Sequence, residues 1–485
     1  MKLSALVTAA GIDPATVAAG AINVTGFAID HRKVAPGTVF GAFRGSRVNG
    51  EDFIGAAIAA GAVAVVARRD AVVTGAVHLV ADEPRQLFAQ IAAQFFTPVP
   101  ATVVAVTGTN GKTSTVEMVR QIWRMAGHRA ASIGTLGVTT ADESVSTGLT
   151  TPDIATFLAN VSGLAREGVS HLAYEASSHG LDQYRNEGLP VAAGAFTNLS
   201  RDHLDYHPSM DAYFAAKMRL FDDVVDAAGT AVVWADDAWS ARAIDHATAR
   251  GLALMTVGTA GNTIRLVRRT PTLLGQTLEL EHAGLTRTVN LPLIGAYQAA
   301  NALVAVGLVL ATGGDAGATF DAMARLQPVR GRLERAAITA AGAPVYVDYA
   351  HTPDALVAAC AALRPHVGGR LILVFGAGGD RDAGKRAAMG AAAIAAADVV
   401  IVTDDNPRGE DPAKIRAAIL AACEGRAREV GDRRAAIAAA IADAGAGDIV
   451  LIAGKGHEQG QIIGRGDAMR VLPFDDVAIA RECTG

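Results

Sequence analysis

The sequence predicts an α/β protein of three domains. These are a smaller α/β N-terminal domain (residues 1–97), a central domain with a parallel sheet of the phosphate-loop type (98–328), and a Rossmann-like C-terminal domain (329–485). Two observations support this architecture. The chain has 485 residues, and one domain typically holds roughly 100–200. Apolar runs of strand length alternate with helix-length stretches, the pattern of βα units around a parallel sheet.

The first domain boundary is marked by proline. Before it, residues 38–43 and 63–67 have the composition of short strands, and 53–60 that of a helix. Residues 97–100 read Thr-Pro-Val-Pro, and two prolines this close do not fit inside a helix or a central strand. A linker is therefore expected here, and a second boundary is expected at residues 327–332.

The central domain begins with a predicted strand at 102–107, whose mostly β-branched residues are typical of a strand buried on both faces. An amphipathic helix is expected from Ser114 onward and should end near Gly127. Its apolar face contains Val116, Val119, Ile122, Trp123 and Ala126.

The third domain is predicted from four apolar runs separated by helix-length stretches. These buried strands are expected at 345–347, 371–375, 399–402 and 449–453. The alanine-rich run at 386–397 is interpreted as a packed helix.

Composition excludes several classes of protein. The net charge is −5, the pI is near 6.2 and no block of Lys and Arg occurs, so no nucleic-acid partner is expected. Cys360, Cys423 and Cys483 are far apart, which favours a reducing compartment over disulfides or structural zinc. Neither a signal peptide nor a membrane span is predicted. We expect a soluble, cytoplasmic monomer acting on small molecules.

The segment between the central strand and the amphipathic helix is a candidate phosphate loop. Its glycines allow backbone N–H groups to approach phosphate oxygens, Lys112 can neutralise β- and γ-phosphates, and Thr113 can bind Mg²⁺. The longer GxxxxGK[ST] form would place glycine at position 106, where this chain has Val106. The alternative is a turn that only joins strand to helix. The predicted ATP-binding residues of the loop are Gly108, Thr109, Asn110, Gly111, Lys112, Thr113 and Ser114.

Further motifs follow the loop in a fixed order along nearly the whole chain. They are Thr150-Thr151-Pro152, Glu175-Ala176-Ser177-Ser178-His179-Gly180-Leu181, Asn198-Leu199-Ser200-Arg201-Asp202-His203-Leu204-Asp205-Tyr206-His207, Tyr213-Phe214-Ala215-Ala216-Lys217, Gly331-Arg332-Leu333-Glu334, Asp348-Tyr349-Ala350-His351-Thr352-Pro353, Gly378-Gly379-Asp380-Arg381-Asp382, Asp405-Asn406-Pro407-Arg408 and Gly454-Lys455-Gly456-His457-Glu458. Together with the short loop, this set resembles the Mur ligases of peptidoglycan synthesis, and within that family the UDP-N-acetylmuramoyl-tripeptide synthetases.

The resemblance implies an enzyme that uses ATP and Mg²⁺ to form an amide bond. ATP would phosphorylate the D-glutamate carboxylate of UDP-N-acetylmuramoyl-L-alanyl-D-glutamate, and an amine would displace the phosphate. A carboxylate is a poor electrophile, so phosphorylation supplies a leaving group, and catalysis is then mainly positioning and charge neutralisation.

The resemblance also assigns catalytic and metal-binding residues. The implied catalytic residues are Lys112, Glu175, His203 and Lys217. The implied magnesium ligands are Thr113, Glu175, His203 and Lys217, the last as a carbamate (N6-carboxylysine). Without the motif context, Glu175 and His203 would be ordinary polar residues. An unmodified Lys217 would be a helix-surface lysine.

Two sets of binding residues are implied for the nucleotides. The set for the UDP-sugar dipeptide is Ile29, His31, Asn110, Thr150, Thr151, Ser177, Gln183 and Arg185. His31 stands where the family has serine, and Asn49 where it has aspartate. The set for the base and ribose of ATP is Asn301, Arg332, Asp348 and His351.

The amine substrate is inferred from an arginine. Meso-diaminopimelate carries a carboxylate at the end where lysine has only an amine, and a bidentate arginine suits that carboxylate. The implied residues are Arg381, Asp405, Asn406, Pro407, Arg408, Gly454 and Glu458. The alternative is an Asn-Pro turn with a solvated Arg408.

Other functions stay open at this point. A related ligase could add lysine or D-Ala-D-Ala, or extend folate with glutamate. A module that binds ATP without forming a bond would need the phosphate loop but neither Lys217 nor Arg408. A dinucleotide enzyme is suggested only by the glycines at 376–379, which lack the GxGxxG spacing. Closure of the three domains during turnover is a further hypothesis.

Overall fold

The computed structural model of the chain describes residues 1–13, 21–45, 48–141, 143–145, 150–272, 275–380 and 382–484. Three main sheets carry the fold, at residues 26–80, 102–291 and 334–453, and a two-stranded sheet lies at residues 460–473. They fall within the three domains expected from the sequence, whose boundaries near 97 and 328 stay predictions. No helix in the described ranges is both long and apolar enough to cross a membrane.

The first sheet is small and wholly parallel, in the order β1-β2-β3-β4. Its elements are α1 (Leu3–Ala9), β1 (Gly26–Ala28), β2 (Thr38–Gly41), α2 (Ile54–Ala59), β3 (Ala62–Ala67), β4 (Val77–Val80) and α3 (Pro84–Phe95). The strands predicted at 38–43 and 63–67 and the helix predicted at 53–60 are therefore confirmed. Pro84 begins α3, where the missing N–H of proline removes no intrahelical hydrogen bond.

The central sheet has a parallel middle and antiparallel margins. Its elements are β5 (Thr102–Thr107), α4 (Lys112–Met125), β6 (Ala130–Gly134), β7 (Gly137–Thr139), β8 (Ser144–Val145), α5 (Ile154–Arg166), β9 (His171–Glu175), α6 (Ser178–Asp182), β10 (Val191–Phe196), α7 (Met210–Arg219), β11 (Val225–Trp234), α8 (Ser240–Ala249), β12 (Ala253–Gly258), β13 (Ile264–Thr272), β14 (Gly275–His282), β15 (Leu285–Leu291), α9 (Ala296–Ala311) and α10 (Ala316–Met323). The strand order is β15-β14-β13-β12-β11-β10-β5-β9-β6-β7-β8.

The middle of this sheet positions the phosphate loop. Strand β5 pairs in parallel with β10 on one side and β9 on the other, and its last five residues are buried, as predicted. The carboxyl ends of the three strands therefore lie side by side, which is where parallel sheets bind ligands. Helix α4 follows β5 and packs its apolar face under the sheet through Val116, Val119 and Ile122.

The third sheet is parallel except for its first strand, in the order β16-β17-β21-β18-β19-β20. The elements of this region are β16 (Glu334–Ile338), β17 (Pro344–Asp348), α11 (Pro353–Leu363), β18 (Leu371–Phe375), α12 (Lys385–Ala396), β19 (Val399–Val402), α13 (Pro412–Leu420), β20 (Ala427–Glu429), α14 (Arg433–Asp443), β21 (Ile449–Ala453), β22 (Gly460–Ile463), β23 (Arg470–Pro473) and α15 (Asp476–Cys483). Strands β22 and β23 pair with each other as a separate antiparallel sheet. All four predicted strands and the alanine-rich helix are confirmed. Helices cover both faces of the sheet, and its four inner strands are almost wholly buried.

The connection into the third domain runs against a loop of that same domain. Gly331 has φ +65°, and a Cβ built on it would lie 2.2 Å from the backbone N of His457 and 2.3 Å from the carbonyl C of Gly456. Glycine is required at this point by both the backbone conformation and the close approach.

Candidate active site

The phosphate loop joins the carboxyl end of β5 to the first residue of α4. Gly108 has φ +146° and Gly111 has φ +88°, conformations that favour glycine. A Cβ on Gly108 would lie 1.9 Å from the Thr197 hydroxyl oxygen, and one on Gly111 would lie 2.3 Å from Asn301 Oδ1. The loop therefore fits closely between two neighbouring elements, and the first turn of α4 directs its N–H groups to this end of the sheet.

The loop is hydrogen-bonded to Thr197 and Asn198, which directly follow β10. The backbone N–H of Asn110 donates to Asn198 Oδ1 at 2.9 Å, and Asn198 Nδ2 donates back to the Asn110 carbonyl at 3.0 Å. The Thr197 hydroxyl donates to the same carbonyl at 2.7 Å. The hydroxyl oxygen of Thr109 lies 3.2 Å from the Tyr213 hydroxyl. These contacts hold the loop in a defined shape in the structure.

Lys112 curls back over the loop that precedes it. Its Nζ donates to the carbonyls of Gly108 and Thr109, both at 2.9 Å. Burial lowers the pKa of this ammonium, and the negative charges of Glu175 and Asp202 oppose that effect. The predicted loop cation therefore interacts with two acidic residues, Glu175 at the end of β9 and Asp202 in the segment that follows β10.

Lys217 lies on α7 and is only 1% exposed, so the expectation of a surface lysine for the unmodified residue is wrong. Its Nζ donates to the Gly108 carbonyl at 2.7 Å and sits 4.4 Å from the centre of the Tyr213 ring. Burial lowers the pKa of this amine well below its ordinary value, and the charge of Lys112 adds to the effect. Within the described part of the chain, no carboxylate lies within 4 Å of it.

Glu175 is the last residue of β9 and is almost fully buried. Its Oε1 accepts a hydrogen bond from the Thr135 N–H at 2.7 Å, and its Oε2 accepts one from the Thr135 hydroxyl at 3.2 Å. A Cβ on Gly134 would lie 2.2 Å from Oε1, so glycine makes room for this carboxylate.

His203 has φ +54°, in the left-handed region that non-glycine residues seldom adopt. Its Nε2 lies 3.6 Å from Asp202 Oδ2, and its ring meets the His179 ring edge-on at 4.9 Å. Desolvation lowers its pKa, so the ring offers a nitrogen lone pair near neutral pH. Backbone strain of this kind is often found at functional sites.

Apart from Asn110, which contacts Thr197 and Asn198, the residues predicted for the UDP-sugar dipeptide in the central domain form one connected group. The Thr151 hydroxyl lies 2.9 Å from the Ser177 hydroxyl, and Arg185 Nη1 donates to the Thr151 carbonyl at 3.0 Å. Arg185 Nη2 donates to Gln183 Oε1 at 2.6 Å. The Thr150 hydroxyl meets that of Thr135, which also binds Glu175.

Ile29 and His31 belong to the first domain. The His31 ring stacks on Phe53, with ring centroids 4.4 Å apart and planes 4° from parallel. Neither residue lines the large cleft described below, so the structure does not bring them together with the rest of the predicted set.

The residues predicted for the base and ribose of ATP connect the central and third domains. Arg332 Nη2 donates to the Thr113 hydroxyl at 3.0 Å, and its guanidinium lies 4.4 Å from the Tyr349 ring centre. Asp348 is the last residue of β17 and is buried, which raises its pKa. Burial lowers the pKa of His351. Asn301 is buried at the phosphate loop.

The residues predicted for the amine substrate lie at the carboxyl ends of β19 and β21. Asn406 Nδ2 donates to Glu458 Oε2 at 2.8 Å, and Arg408 Nη1 donates to the Gly379 carbonyl at 3.0 Å. A Cβ on Gly454 would lie 2.7 Å from Asp405 Oδ2. Pro407 lies beside Gly379, because a Cβ on Gly379 would lie 2.0 Å from the Pro407 carbonyl oxygen. Arg381 lies outside the described residues.

A cleft of about 1210 Å³ brings these groups together. One wall comes from the central domain and the other from the third domain. Predicted residues that line it are Thr150, Thr151, Ser177, Arg185, His203, His351, Asp405, Asn406, Arg408, Gly454 and Glu458. The phosphate loop, Glu175 and Lys217 do not line it. Because dipeptide-side and amine-side residues face one cavity, the arrangement can hold two substrates next to each other.

Three family models match successive parts of the chain. The Mur ligase family catalytic domain matches residues 23–95, the Mur ligase middle domain matches 106–309, and the Mur ligase glutamate ligase domain matches 331–456. The chain belongs to the Mur ligase family. The resemblance seen in the sequence is thereby confirmed, and so is the α/β fold expected for a Mur ligase.

Curated Mur ligases match at high identity. The UDP-N-acetylmuramoyl-L-alanyl-D-glutamate–2,6-diaminopimelate ligase of Zymomonas mobilis is 61% identical over 95% of this chain and 94% of the relative. The protein of the same name from Bradyrhizobium diazoefficiens is 52% identical over 98% and 97%. A solved structure of a ligase with that name is 35% identical, covers 95% of this chain and 94% of its own, and superposes with a TM-score of 0.69.

Some residues of this Mur ligase site have no role in the sequence prediction. Tyr213 stands four positions before Lys217 on α7, and its ring lies under the lysine amine. That i, i+4 spacing is a signal that could have identified it. Lys455 belongs to the motif at 454–458, but the local sequence does not predict that it is completely buried among the amine-side residues.

Proposed function

We propose that this chain is an ATP-dependent ligase that joins meso-diaminopimelate to UDP-N-acetylmuramoyl-L-alanyl-D-glutamate. The observation that supports it best is the shared cleft, where residues expected to hold the dipeptide face residues expected to hold the amine. The relatives named above carry this activity in their names, at 61% and 52% identity over nearly the whole chain. We place the reaction in the cytoplasm and propose a monomer as the active form.

In the first step, the D-glutamate carboxylate oxygen attacks the γ-phosphorus of ATP, the bond to the β-phosphate oxygen breaks, and ADP leaves. The N–H groups at the start of α4 and the Lys112 ammonium stabilise the negative charge on the phosphates. Arg332, held by Thr113, adds a second cation from the third domain. This step is mainly one of positioning, since the phosphoryl group needs no covalent partner from the protein.

In the second step, the amine nitrogen attacks the acyl carbon, phosphate leaves and the amine loses a proton. The carboxyl ends of β19 and β21 hold the amino acid. Arg408 would bind the distal carboxylate of this amino acid, and Glu458 would bind its distal ammonium. A lysine substrate lacks that carboxylate and could not form this charged pair with Arg408.

Magnesium fits the donors that the site provides. Among the described residues, no three His, Cys, Asp or Glu side chains lie close enough to form a metal cage. Mg²⁺ is usually held by one or two carboxylates together with substrate phosphates, so a cage is not required. The Thr113 hydroxyl, Glu175, His203 and a carbamate on Lys217 would hold it. The ion would neutralise phosphate charge.

We propose that the buried Lys217 amine is carbamylated. A carbamate forms when a neutral amine attacks carbon dioxide, and burial favours the neutral amine at Lys217. An unmodified ammonium would repel a metal ion. Native mass spectrometry in bicarbonate buffer should show one added carbon dioxide on the wild type and none on Lys217→Met. Equal masses of wild type in bicarbonate and in carbon-dioxide-depleted buffer would rule the modification out.

The function is tested by a product assay. The UDP-sugar dipeptide, ATP and Mg²⁺ are combined with meso-diaminopimelate, lysine, D-Ala-D-Ala or glutamate in turn, and both phosphate and amide product are measured. Meso-diaminopimelate should give stoichiometric phosphate and tripeptide. Turnover with lysine but not with meso-diaminopimelate would overturn the substrate assignment. ATP hydrolysis without amide product would favour a nucleotide-binding module.

A further inference from the structure

Lys455 lies two residues after β21 and is completely buried. Its Nζ donates to Asn406 Oδ1 at 2.8 Å and to Glu458 Oε2 at 3.3 Å, and it lies 3.6 Å from Asp405 Oδ1. All three partners belong to the set expected to bind the amine substrate, and all three line the cleft. The lysine itself does not line the cleft, so it stands behind these residues.

The contacts fix the orientation of the Asn406 amide. Its Oδ1 accepts hydrogen bonds from Lys455 Nζ and from the Ile462 N–H at 2.9 Å, which are both donors. The amide nitrogen must therefore point the other way, and it donates to Glu458 Oε2 at 2.8 Å. Glu458 thus has one oxygen held by two donors. In the described part of the chain its Oε1 has no hydrogen-bond partner, and the side chain is 30% exposed to the cleft.

The charges around Lys455 show why a cation is needed. Asp405 and Glu458 bring two negative charges to one side of the cleft, and one ammonium stands between them. A second buried cation near these carboxylates is Arg433, which binds Asp476 through two hydrogen bonds at 2.8 and 2.7 Å. Since Arg433 is already neutralised by Asp476, it cannot replace Lys455. Without Lys455, the two carboxylates would repel each other.

We propose that Lys455 is a positioning residue for the amine substrate, which aims Glu458 Oε1 at the distal ammonium of a diamino acid and keeps Asp405 and Glu458 together. This inference rests on the proposed function. Lys455 does not touch the reacting atoms. Its loss should therefore weaken binding of the diamino acid and leave the sites for ATP and the UDP-sugar dipeptide as they are.

The test compares Lys455→Met and Lys455→Arg with the wild type. The methionine variant keeps a similar length and removes the charge. Its KM for meso-diaminopimelate should rise by about 10- to 100-fold, the range for lost hydrogen bonds to charged groups, with the other two KM values within about twofold. Lys455→Arg restores the charge and should recover part of the loss. A purely structural role would move all three KM values together.

Arg370→Met is the matched control. Arg370 binds Asp448 at 2.7 Å. Asp448 immediately precedes β21, so this ion pair lies at the opposite end of β21 from Lys455. This variant also removes one cation from the third domain, but it should leave every KM unchanged. If it raises the KM for the diamino acid as much as Lys455→Met does, the positioning role is overturned.

The outcomes separate this inference from the proposed function. If the wild type uses another amine, the substrate assignment is wrong, and the KM for that amine becomes the quantity compared. An unchanged amine KM in Lys455→Met overturns the role of Lys455 whichever amine is used. If Lys455→Met does not fold, Lys455→Arg carries the test, because it should fold and raise only the amine KM by about threefold to tenfold. An unchanged amine KM in that variant also overturns the role.

Discussion

Arg332 donates a hydrogen bond from Nη2 to the Thr113 hydroxyl at 3.0 Å, across 219 residues of sequence. Thr113 is in the first turn of α4, and Arg332 stands at the beginning of the third domain. The phosphate loop and the third domain are thus joined at the nucleotide site itself. Occupation of that site by ATP is expected to depend on residues of both.

The first prediction concerns this contact. Arg332→Met keeps most of the side-chain length over Tyr349 and removes the guanidinium. The KM for ATP should rise by about 10- to 100-fold, because hydrogen bonds to charged groups contribute about 1.5–3 kcal/mol. Arg332→Lys should recover part of the loss, since it keeps the charge without the planar fork. Steady-state kinetics with varied ATP measure it, and an unchanged ATP KM in a folded Arg332→Met would contradict it.

The second prediction compares two glycines that flank α4. Gly111 and Gly127 have nearly the same φ, +88° and +90°, so alanine at either position introduces left-handed strain of about 1–2 kcal/mol. A Cβ on Gly127 meets nothing within 4 Å, whereas one on Gly111 meets Asn301 Oδ1 at 2.3 Å. Both variants should therefore lower the melting temperature, and Gly111→Ala should lower it further.

Only Gly111→Ala should weaken ATP binding, because only Gly111 belongs to the phosphate loop. Calorimetric titration with ATP checks this directly. If both variants bound ATP equally well, the close fit between the loop and Asn301 would not matter for the nucleotide.

The third prediction concerns choice of amine. Arg408→Met removes the guanidinium expected to meet the distal carboxylate of meso-diaminopimelate. The KM for that substrate should rise by about 10- to 100-fold, and any turnover with lysine should change little. Competition between the two amines, followed by mass analysis of the products, measures the ratio. A rise in KM for both amines alike would mean that Arg408 only shapes its loop through the Gly379 carbonyl.

The fourth prediction is a pH dependence of stability outside the cleft. Burial, with the charge of His128, lowers the pKa of His171 from 6.5 to about 4. Between these values the unfolded chain binds more protons than the folded one, so stability rises with pH from about 4 to about 6.5. His171→Phe keeps an aromatic ring beside Trp123 and His128 and removes this proton uptake. The drop in melting temperature from pH about 7.5 to about 5 should be smaller in the variant. An identical drop would contradict it.

Sequence alone predicted the parts of this molecule that are continuous in the chain. The phosphate loop is one such part, and the four strands of the third sheet are others, because a buried strand and its turn leave a local apolar pattern. The antiparallel margins formed by β7, β8 and β13 to β15 were not predicted, since their half-exposed strands lack that pattern.

The contacts that build the site depend on distant parts of the chain. Lys217 meets the Gly108 carbonyl across 109 residues, and Lys455 meets Asn406 across 49. Burial of a lysine is decided by what packs around it, and a single sequence carries no record of that packing. The motifs therefore predict which residues serve the site, but they do not indicate which of these residues support the others.

The close approach of Gly331 to the loop at Gly456 and His457 has a practical consequence for dissecting this protein. The connecting segment forms part of the packing of the third domain, so it cannot be treated as a removable tether. A fragment designed for isotope labelling or ligand screening would have to start upstream of Gly331 and keep glycine there. A fragment cut at residue 334, where the sheet begins, would expose the backbone of the very loop that carries Lys455.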